Sequence, residues 1–458
     1  MKKIPYQTYL EPNELPRAWY NIQADMPTPL APSLNAATNQ LATFEEMSRL
    51  LAPQLVEQEV STERYIDIPE PVLELYAQYR PSPLARAYRL EKALGTPAHI
   101  YYKYEGNNPS GSHKLNSAIP QVYYNQINGI RKITTETGAG QWGTALAVAA
   151  KMFGVELDVY MVRISAQQKP YRKMIMETFG ANVIPSPSPN TKAGRQILAE
   201  NPHTPGSLGM AISEAVEVTL SDPSIRYCLG SVLNHVVLHQ SIIGQEALLQ
   251  LNKIEEKPDI VIGCNGGGSN FGGFAFPIMG EQLRNGGLTS QFIAVEASAC
   301  PKLTKGVYAY DFSDAVGATP ACPMYTLGHG FVPQGIHAGG LRYHGDSPIL
   351  SRLYHDKLVD AVSVDQSEVF RAAMLFAENE IIVPAPESAH AIAVAIQKAL
   401  ECKETGETKN IVFCLSGNGY FDLAAYEQFL SGELIDAPLT EEALKKGVSS
   451  IPQLAKID

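Results

Sequence analysis

The chain has 458 residues, is 45% hydrophobic and 18% charged, and carries a formal net charge of −11. This is the make-up of a soluble globular protein with room for roughly two or three domains. Its acidity, unbroken by any basic block, argues against a nucleic-acid binder. The opening Met1-Lys2-Lys3 leads into a polar, proline-rich stretch, and no apolar run reaches membrane-spanning length, so neither a leader peptide nor a transmembrane helix is expected. Cys228, Cys264, Cys300, Cys322, Cys402 and Cys414 are scattered, without a C-x-x-C pair or metal-ligand spacing. Free thiols of a reducing, cytoplasmic protein are expected rather than disulfides or zinc.

Residues 1 to about 80 hold many prolines, among them Pro12, Pro16, Pro27, Pro29 and Pro32, interleaved with Tyr9, Trp19, Tyr20 and Tyr65. Too apolar for a disordered tail, the segment reads as an extension draped over a core. A short helix over 71–79 ends at Arg80-Pro81-Ser82-Pro83. Strand and helix then alternate: a strand over 99–104, helix 117–127, strand 132–136, helix 144–153, strand 157–162, helix 170–179 and strand 182–184. The second half repeats the pattern, with strands at 259–264, 292–296 and 411–415 and a helix over 391–399. Such repetition implies parallel sheets covered by helices, in two lobes meeting near 230–244, with ligands at the carboxyl ends of strands.

Four loops carry candidate chemistry. In Glu105-Gly106-Asn107-Asn108-Pro109-Ser110-Gly111-Ser112-His113-Lys114, a lysine stands alone among turn-forming and hydroxyl residues. That setting suits a lysine that must lose its proton to form a Schiff base, though a helix-capping or loop lysine is the plain alternative. Gly266-Gly267-Gly268-Ser269-Asn270 follows a strand and opens a helix, so its amides can cradle a phosphate. It is not a dinucleotide fingerprint, despite Glu296 downstream, because Phe271 stands where the third glycine belongs, and there is no Walker lysine. Glu136-Thr137-Gly138-Ala139-Gly140-Gln141 sits at another strand-to-helix turn, a nest for a carboxylate with an acid beside it. Ser416-Gly417 follows the last buried strand and offers a neutral hydroxyl.

Two further features weigh less. Glu387, in Pro386-Glu387-Ser388-Ala389-His390, reads first as a helix-capping acid. His329, His337 and His344 lie in a glycine-rich stretch without regular ligand spacing, so no metal site is expected. A reactive lysine, a phosphate cradle, an anion nest with an acid and a hydroxyl after a strand together make the set a pyridoxal 5′-phosphate enzyme needs.

On these motifs, with Glu59-Val60-Ser61-Thr62-Glu63-Arg64-Tyr65, Gln168–Tyr171 and Gly230-Ser231-Val232-Leu233-Asn234-His235, the chain resembles the tryptophan synthase β chains over nearly its whole length. The likeness is closer to that family's second class, which has a long N-terminal extension. It implies an α/β fold of the type II pyridoxal phosphate enzymes: two open parallel-sheet lobes with the cofactor in the cleft. The expected division is an extension over 1–80 packed on the C-terminal lobe, an N-terminal lobe over 81–245 with a mobile substrate-binding subdomain, and a C-terminal lobe over 246–458. The resemblance implies pyridoxal 5′-phosphate joined to Lys114, with His113, Gly266, Gly267, Gly268, Ser269 and Asn270 at its phosphate. Ser416 would meet its pyridine nitrogen, and Glu387 would lie close by. Thr137, Gly138, Ala139, Gly140 and Gln141 would hold the substrate carboxylate, and Glu136 would be the acid–base group. A monovalent cation is a further candidate.

The implied reaction condenses indole with serine, or phosphoserine, to tryptophan. A homodimer is implied, and an α-chain partner is left open because the extension covers surface that meets that chain in the other class. Trp142 departs from the better-known class, which has His there, and leaves recognition of the β-leaving group open. A serine or threonine dehydratase, or a threonine synthase, would share the fold but has no need of an acid at Glu136. A dehydrogenase and a non-catalytic phosphate-binding partner are the readings from other classes.

Overall fold

The computed structural model describes residues 4–457; Met1–Lys3, where the leader-peptide reading begins, and Asp458 lie outside the described residues. Two open sheets organise the molecule. The larger has seven strands in the order Gln7–Thr8, Leu84–Arg86, His99–Tyr104, Asn410–Leu415, Ile260–Cys264, Gln291–Ala297 and Asp360–Val364. Its first two strands run antiparallel to their neighbours and the remaining five are mutually parallel. The smaller is wholly parallel, in the order Asn182–Ser186, Glu156–Val162, Lys132–Thr137 and Ile225–Tyr227. Ile260–Cys264 is apolar and buried at every position, as a parallel strand covered on both faces must be.

The sheets divide the chain differently from the expected lobes. Leu84–Arg86 and His99–Tyr104, placed by sequence order in the lobe over 81–245, pair within the seven-stranded sheet beside Asn410–Leu415. The pairing follows from burial: Ile100, Tyr101 and Tyr102 are closed off on both faces, which only a central position allows. An antiparallel pair, Val307–Phe312 with Ala321–Thr326, extends through Leu34–Asn35 and Gln40–Leu41 of the N-terminal segment. No sequence pattern had marked it.

The N-terminal segment packs as core. Trp19 is fully buried with its ring 4.5 Å from that of His239. From the helix Pro53–Val60, Gln58 meets His239 at 2.8 Å, and Glu59 meets His235 at 2.8 Å. No helix among the described residues is long and apolar enough to cross a membrane, and all six cysteines are free and buried.

Behind the loop that bears Lys114 lies a closed ionic cluster. Arg80 donates to Glu105 at 2.9 and 3.0 Å and to Glu246 at 2.8 and 2.9 Å. Lys103 uses three donors, on Ser82 O at 2.6 Å, Glu246 at 2.7 Å and Gln250 at 2.8 Å. Burial alone would raise the Glu105 carboxyl, but the Arg80 charge overrides it and holds the group at about 2. The cluster also accepts and donates through Asn116, which stands in the first turn of the helix Leu115–Ile127.

Candidate active site

The carboxyl ends of three strands converge where open α/β folds place ligands. His99–Tyr104 leads into the loop with His113 and Lys114, Asn410–Leu415 into Ser416, and Lys132–Thr137 ends on Glu136 and Thr137. The lysine loop is stitched to the serine loop by backbone: His113 N–H donates to Ser416 O at 2.9 Å and Asn418 N–H to Gly111 O at 3.0 Å. Lys114 is half-buried at the start of the helix Leu115–Ile127, and among the described residues its Nζ reaches only Gly230 O, at 3.4 Å. Burial draws its ammonium below the ordinary lysine value, opposed by the charges of Glu387, Cys264 and Glu136. Two adjoining cavities share Lys114 as a lining residue.

The first cavity is bounded by His113, Gly266, Gly267, Ser269, Asn270, Glu387 and Ser416. Gly268 caps the helix Ser269–Arg284 with φ +96°, a conformation side chains avoid. A Cβ on Gly267 would lie 2.7 Å from Ser231 Oγ, so only glycine fits that approach. His113 turns Nδ1 to Ser416 O at 3.3 Å and leaves Nε2 buried and, among the described residues, without a partner. Burial, with the Lys114 charge beside it, pushes this imidazole down to about 3. Ser416 Oγ meets Ser388 Oγ at 2.7 Å and Cys264 Sγ at 3.5 Å. Asn270 belongs to the cradle by position, but its side chain is taken by Cys414 Sγ at 3.1 Å and Cys264 Sγ at 3.4 Å, leaving its backbone for a ligand.

The second cavity holds Glu136, Thr137, Gly138, Ala139 and Gln141, with apolar walls from Trp142, Leu208, Ile212 and Leu229. Gly140, at φ +92°, caps the helix Gln141–Phe153, which starts earlier than the residue pattern suggested because the nest itself is the helix N-terminus. Thr137 Oγ1 accepts from Gly143 N–H at 3.1 Å, locking the turn. Glu136 is buried and accepts a hydrogen bond from the Tyr227 hydroxyl. Burial pushes its carboxyl up to about 8, against the pull of Tyr227 and Lys114.

Glu387 does not cap its own helix, Pro386–Thr405. It accepts from Gly340 N–H at 2.8 Å and from Gln141 Nε2 at 2.9 Å, tying the two cavities together. The three loop histidines stay apart: His329 meets Asp311, His337 meets Gln428 and His344 meets Phe312 O. Among the described residues no group of three or more potential metal ligands is assembled. Tyr227, Ser388, Ser231 and Gly340 were not singled out from the sequence. Tyr227 belongs to a three-residue strand, and Gly340 was visible only as part of the histidine-bearing glycine stretch. The Gly230–Val232 loop carries Lys114's acceptor and holds Val232 at φ +73°, a strained position for a β-branched residue.

The donor set fits pyridoxal 5′-phosphate: an orphaned imidazole nitrogen and a glycine cradle for its phosphate, a hydroxyl for its ring nitrogen, and a lysine with one long contact. The family model described as "Pyridoxal-phosphate dependent enzyme" matches residues 75–417. The chain is 56% identical to tryptophan synthase beta chain 2 of Methanosarcina acetivorans, over 93% of this chain and 96% of that one. It is 57% identical to tryptophan synthase beta chain 2 of Thermotoga maritima, over 91% and 98%, and 53% identical to the tryptophan synthase beta chain of Pyrococcus horikoshii, over 95% and 94%. Among solved structures, threonine deaminase isoform 2 of Solanum lycopersicum shares the fold at TM-score 0.57 and 16% identity, over 87% of this chain and 94% of that one. A fungal L-serine ammonia-lyase from Rhizomucor miehei does so at TM-score 0.55 and 19% identity, over 78% and 99%. This chain belongs to the tryptophan synthase β-chain family of pyridoxal-phosphate dependent enzymes.

Proposed function

We propose that the protein forms L-tryptophan by pyridoxal phosphate-dependent β-replacement, joining indole to the β-carbon of serine. The observation that carries this reading is that Lys114 and Glu136 line one cavity together with the nest over 137–141 and the apolar Trp142, Leu208, Ile212 and Leu229, so an amino acid and a flat apolar nucleophile can meet there. A dehydratase needs the lysine but not a buried acid facing the incoming group. Bound pyridoxal phosphate supplies an electron sink that acidifies the substrate's Cα–H and allows loss of its β-substituent.

The chain's own residues do the rest. The glycine cradle and His113 Nε2 hold the phosphate, and Ser416, aligned by Ser388, faces the ring nitrogen with a neutral hydroxyl. The nest over 137–141 takes the substrate carboxylate at a helix N-terminus. Lys114, kept below its ordinary basicity by burial, moves the proton at Cα. Glu136 can reach both protonation states near neutrality, so it serves to protonate the departing β-hydroxyl and then to accept from the indole N–H. Leu208, Ile212, Leu229 and Trp142 keep water from that face.

Incubating the purified, cofactor-loaded protein with serine, with and without indole, tests the reading. Tryptophan with indole is expected; pyruvate from serine alone, with no tryptophan when indole is added, would replace it by a dehydratase. The same site chemistry admits phosphoserine as donor, and comparison of the two donors at equal concentration ranks them. We place the active form as a cytoplasmic homodimer that can take an α chain as partner, to be checked by sedimentation with and without that chain.

A further inference from the structure

Glu136 is the buried acid of the second cavity, and among the described residues the Tyr227 hydroxyl is the one side-chain group that donates to its carboxyl, beside Glu136's own backbone N–H. Tyr227 is 3% exposed and closes the strand Ile225–Tyr227, the edge strand of the four-stranded sheet. It pairs with Thr134 in the strand that carries Glu136. On the open side of that edge its backbone N–H donates to Leu50 O at 2.8 Å, so the N-terminal segment completes the pairing the sheet leaves unmade. Its ring also borders an apolar chamber lined by Met47, Leu50 and Leu51. One carboxylate oxygen of Glu136, Oε2, is thus held by Tyr227, and Glu136 lines the cavity it shares with Lys114.

We propose that Tyr227 is the positioning residue for Glu136: held in place by the N-terminal segment through Leu50, it orients the carboxyl toward the cavity and sets its proton affinity through their hydrogen bond. The proposal rests on the reading of Glu136 as the acid–base group. A hydroxyl that donates to a carboxylate favours the charged form, so Tyr227 opposes the upward push of burial. The other titratable groups bearing on the pair are Lys114 at the start of its helix, Cys228 next to Tyr227, Tyr343 from the segment after Gly340, and Asp314, which acts on Tyr227. Of these, Lys114 alone favours the charged carboxylate together with Tyr227.

Removing the hydroxyl therefore has a sign that does not depend on which protonation state a given step needs. A rate that falls as Glu136 ionises and one that rises as it ionises both move to higher pH when the carboxylate loses its donor. Were Tyr227 only a space-filling ring, Tyr227→Phe, which keeps the ring, would leave the limb where it is.

The test is the rate of tryptophan formation from serine and indole by the cofactor-loaded enzyme across about pH 6 to 10, for the parent, Tyr227→Phe, Glu136→Gln and the double variant. Tyr227→Phe is expected to keep the visible spectrum of the bound cofactor, to lose about tenfold in kcat at the parent's optimum, and to shift the Glu136 limb to higher pH. Glu136→Gln is expected to abolish that limb, and Tyr227→Phe to add nothing in its background. A limb that stays put in Tyr227→Phe, or a full further tenfold loss in the double variant, overturns the role given to Tyr227. A Glu136→Gln enzyme with the parent's turnover and limb would instead overturn the reading of Glu136 itself.

Discussion

Lys103 and Lys114 stand on either side of one loop, and burial draws both ammonium groups down. Their surroundings are otherwise opposite. Lys103 has an acceptor for each of its protons, and its neighbour Arg80 spends all three nitrogens on Glu105, Glu246, Ser82 and Asn116. Among the described residues Lys114 has one long contact to a carbonyl, with an unpartnered imidazole nitrogen next to it and a carboxyl in the same cavity held by one side chain, Tyr227. Buried charge costs several kcal/mol unless it is paired, so a fully paired cluster is structure, and a cluster left short of partners is held open by the fold for something that binds.

Four experiments would break or sharpen that contrast. The largest effect is expected at Lys114: Lys114→Ala should lower tryptophan formation on the order of 10³-fold or more and remove the borohydride-sensitive absorbance, while thermal stability of the cofactor-free chain stays near the parent's. An unfolded variant would put Lys114 among the structural lysines. Arg80→Met should do the reverse, costing about 3–5 kcal/mol of stability by leaving Glu105 and Glu246 buried without their partner. Denaturant unfolding of the cofactor-free chain reads that loss; stability within experimental error of the parent would show the cluster to be dispensable.

A smaller change is expected from Gly267→Ala, whose added methyl meets Ser231 Oγ at 2.7 Å. It should weaken cofactor binding by about 1–3 kcal/mol, seen by equilibrium titration with pyridoxal phosphate, and an unchanged affinity would move the phosphate elsewhere.

The last effect concerns acid. His113 is depressed from 6.5 to about 3 in the fold, so its contribution is complete above 6.5 and is lost as pH falls toward about 3. Glu105, depressed from 4.5 to about 2, contributes above 4.5 and fails only as pH drops toward about 2. His239, His344 and His390 are shifted in the same direction as His113, so the cofactor-free chain should lose stability first in the histidine window. Melting temperatures measured down the pH scale, with His113→Asn flattening the upper part of the curve, would check the order. A His113→Asn curve that parallels the parent's throughout would deny that residue its share.

The cofactor loops were legible because each is local. Gly266–Asn270, Glu136–Gln141 and His113-Lys114 compress their chemistry into a few residues at a strand-to-helix turn, where glycine and small polar residues have one main reason to be. The strands read over 99–104 and 132–136 were legible for the same reason, as β-branched and aromatic runs bounded by turns, and the second runs one residue further, to Thr137. What escaped depends on partners remote in sequence. Read from its own residues Glu387 looked like an ordinary first-turn acid, and the family resemblance alone put it near the cofactor, because its partners Gly340 and Gln141 lie far from it along the chain. Ser388 aligns Ser416 only because the helix Pro386–Thr405 packs under the last strand. Tyr227 reads as one more aromatic in a short strand until the sheet sets it behind Glu136.

The sequence alone thus located the isolated lysine, the two glycine-rich strand-to-helix turns and the alternation that makes a parallel fold, since turn chemistry and hydrophobic period are properties of neighbours in the chain. Tertiary structure alone decided which sheet each strand joined, that the N-terminal segment is core rather than covering, and which of two similar lysines is left with a single long contact among the described residues. Pairing and desolvation are settled between residues far apart in sequence, where no local pattern can record them.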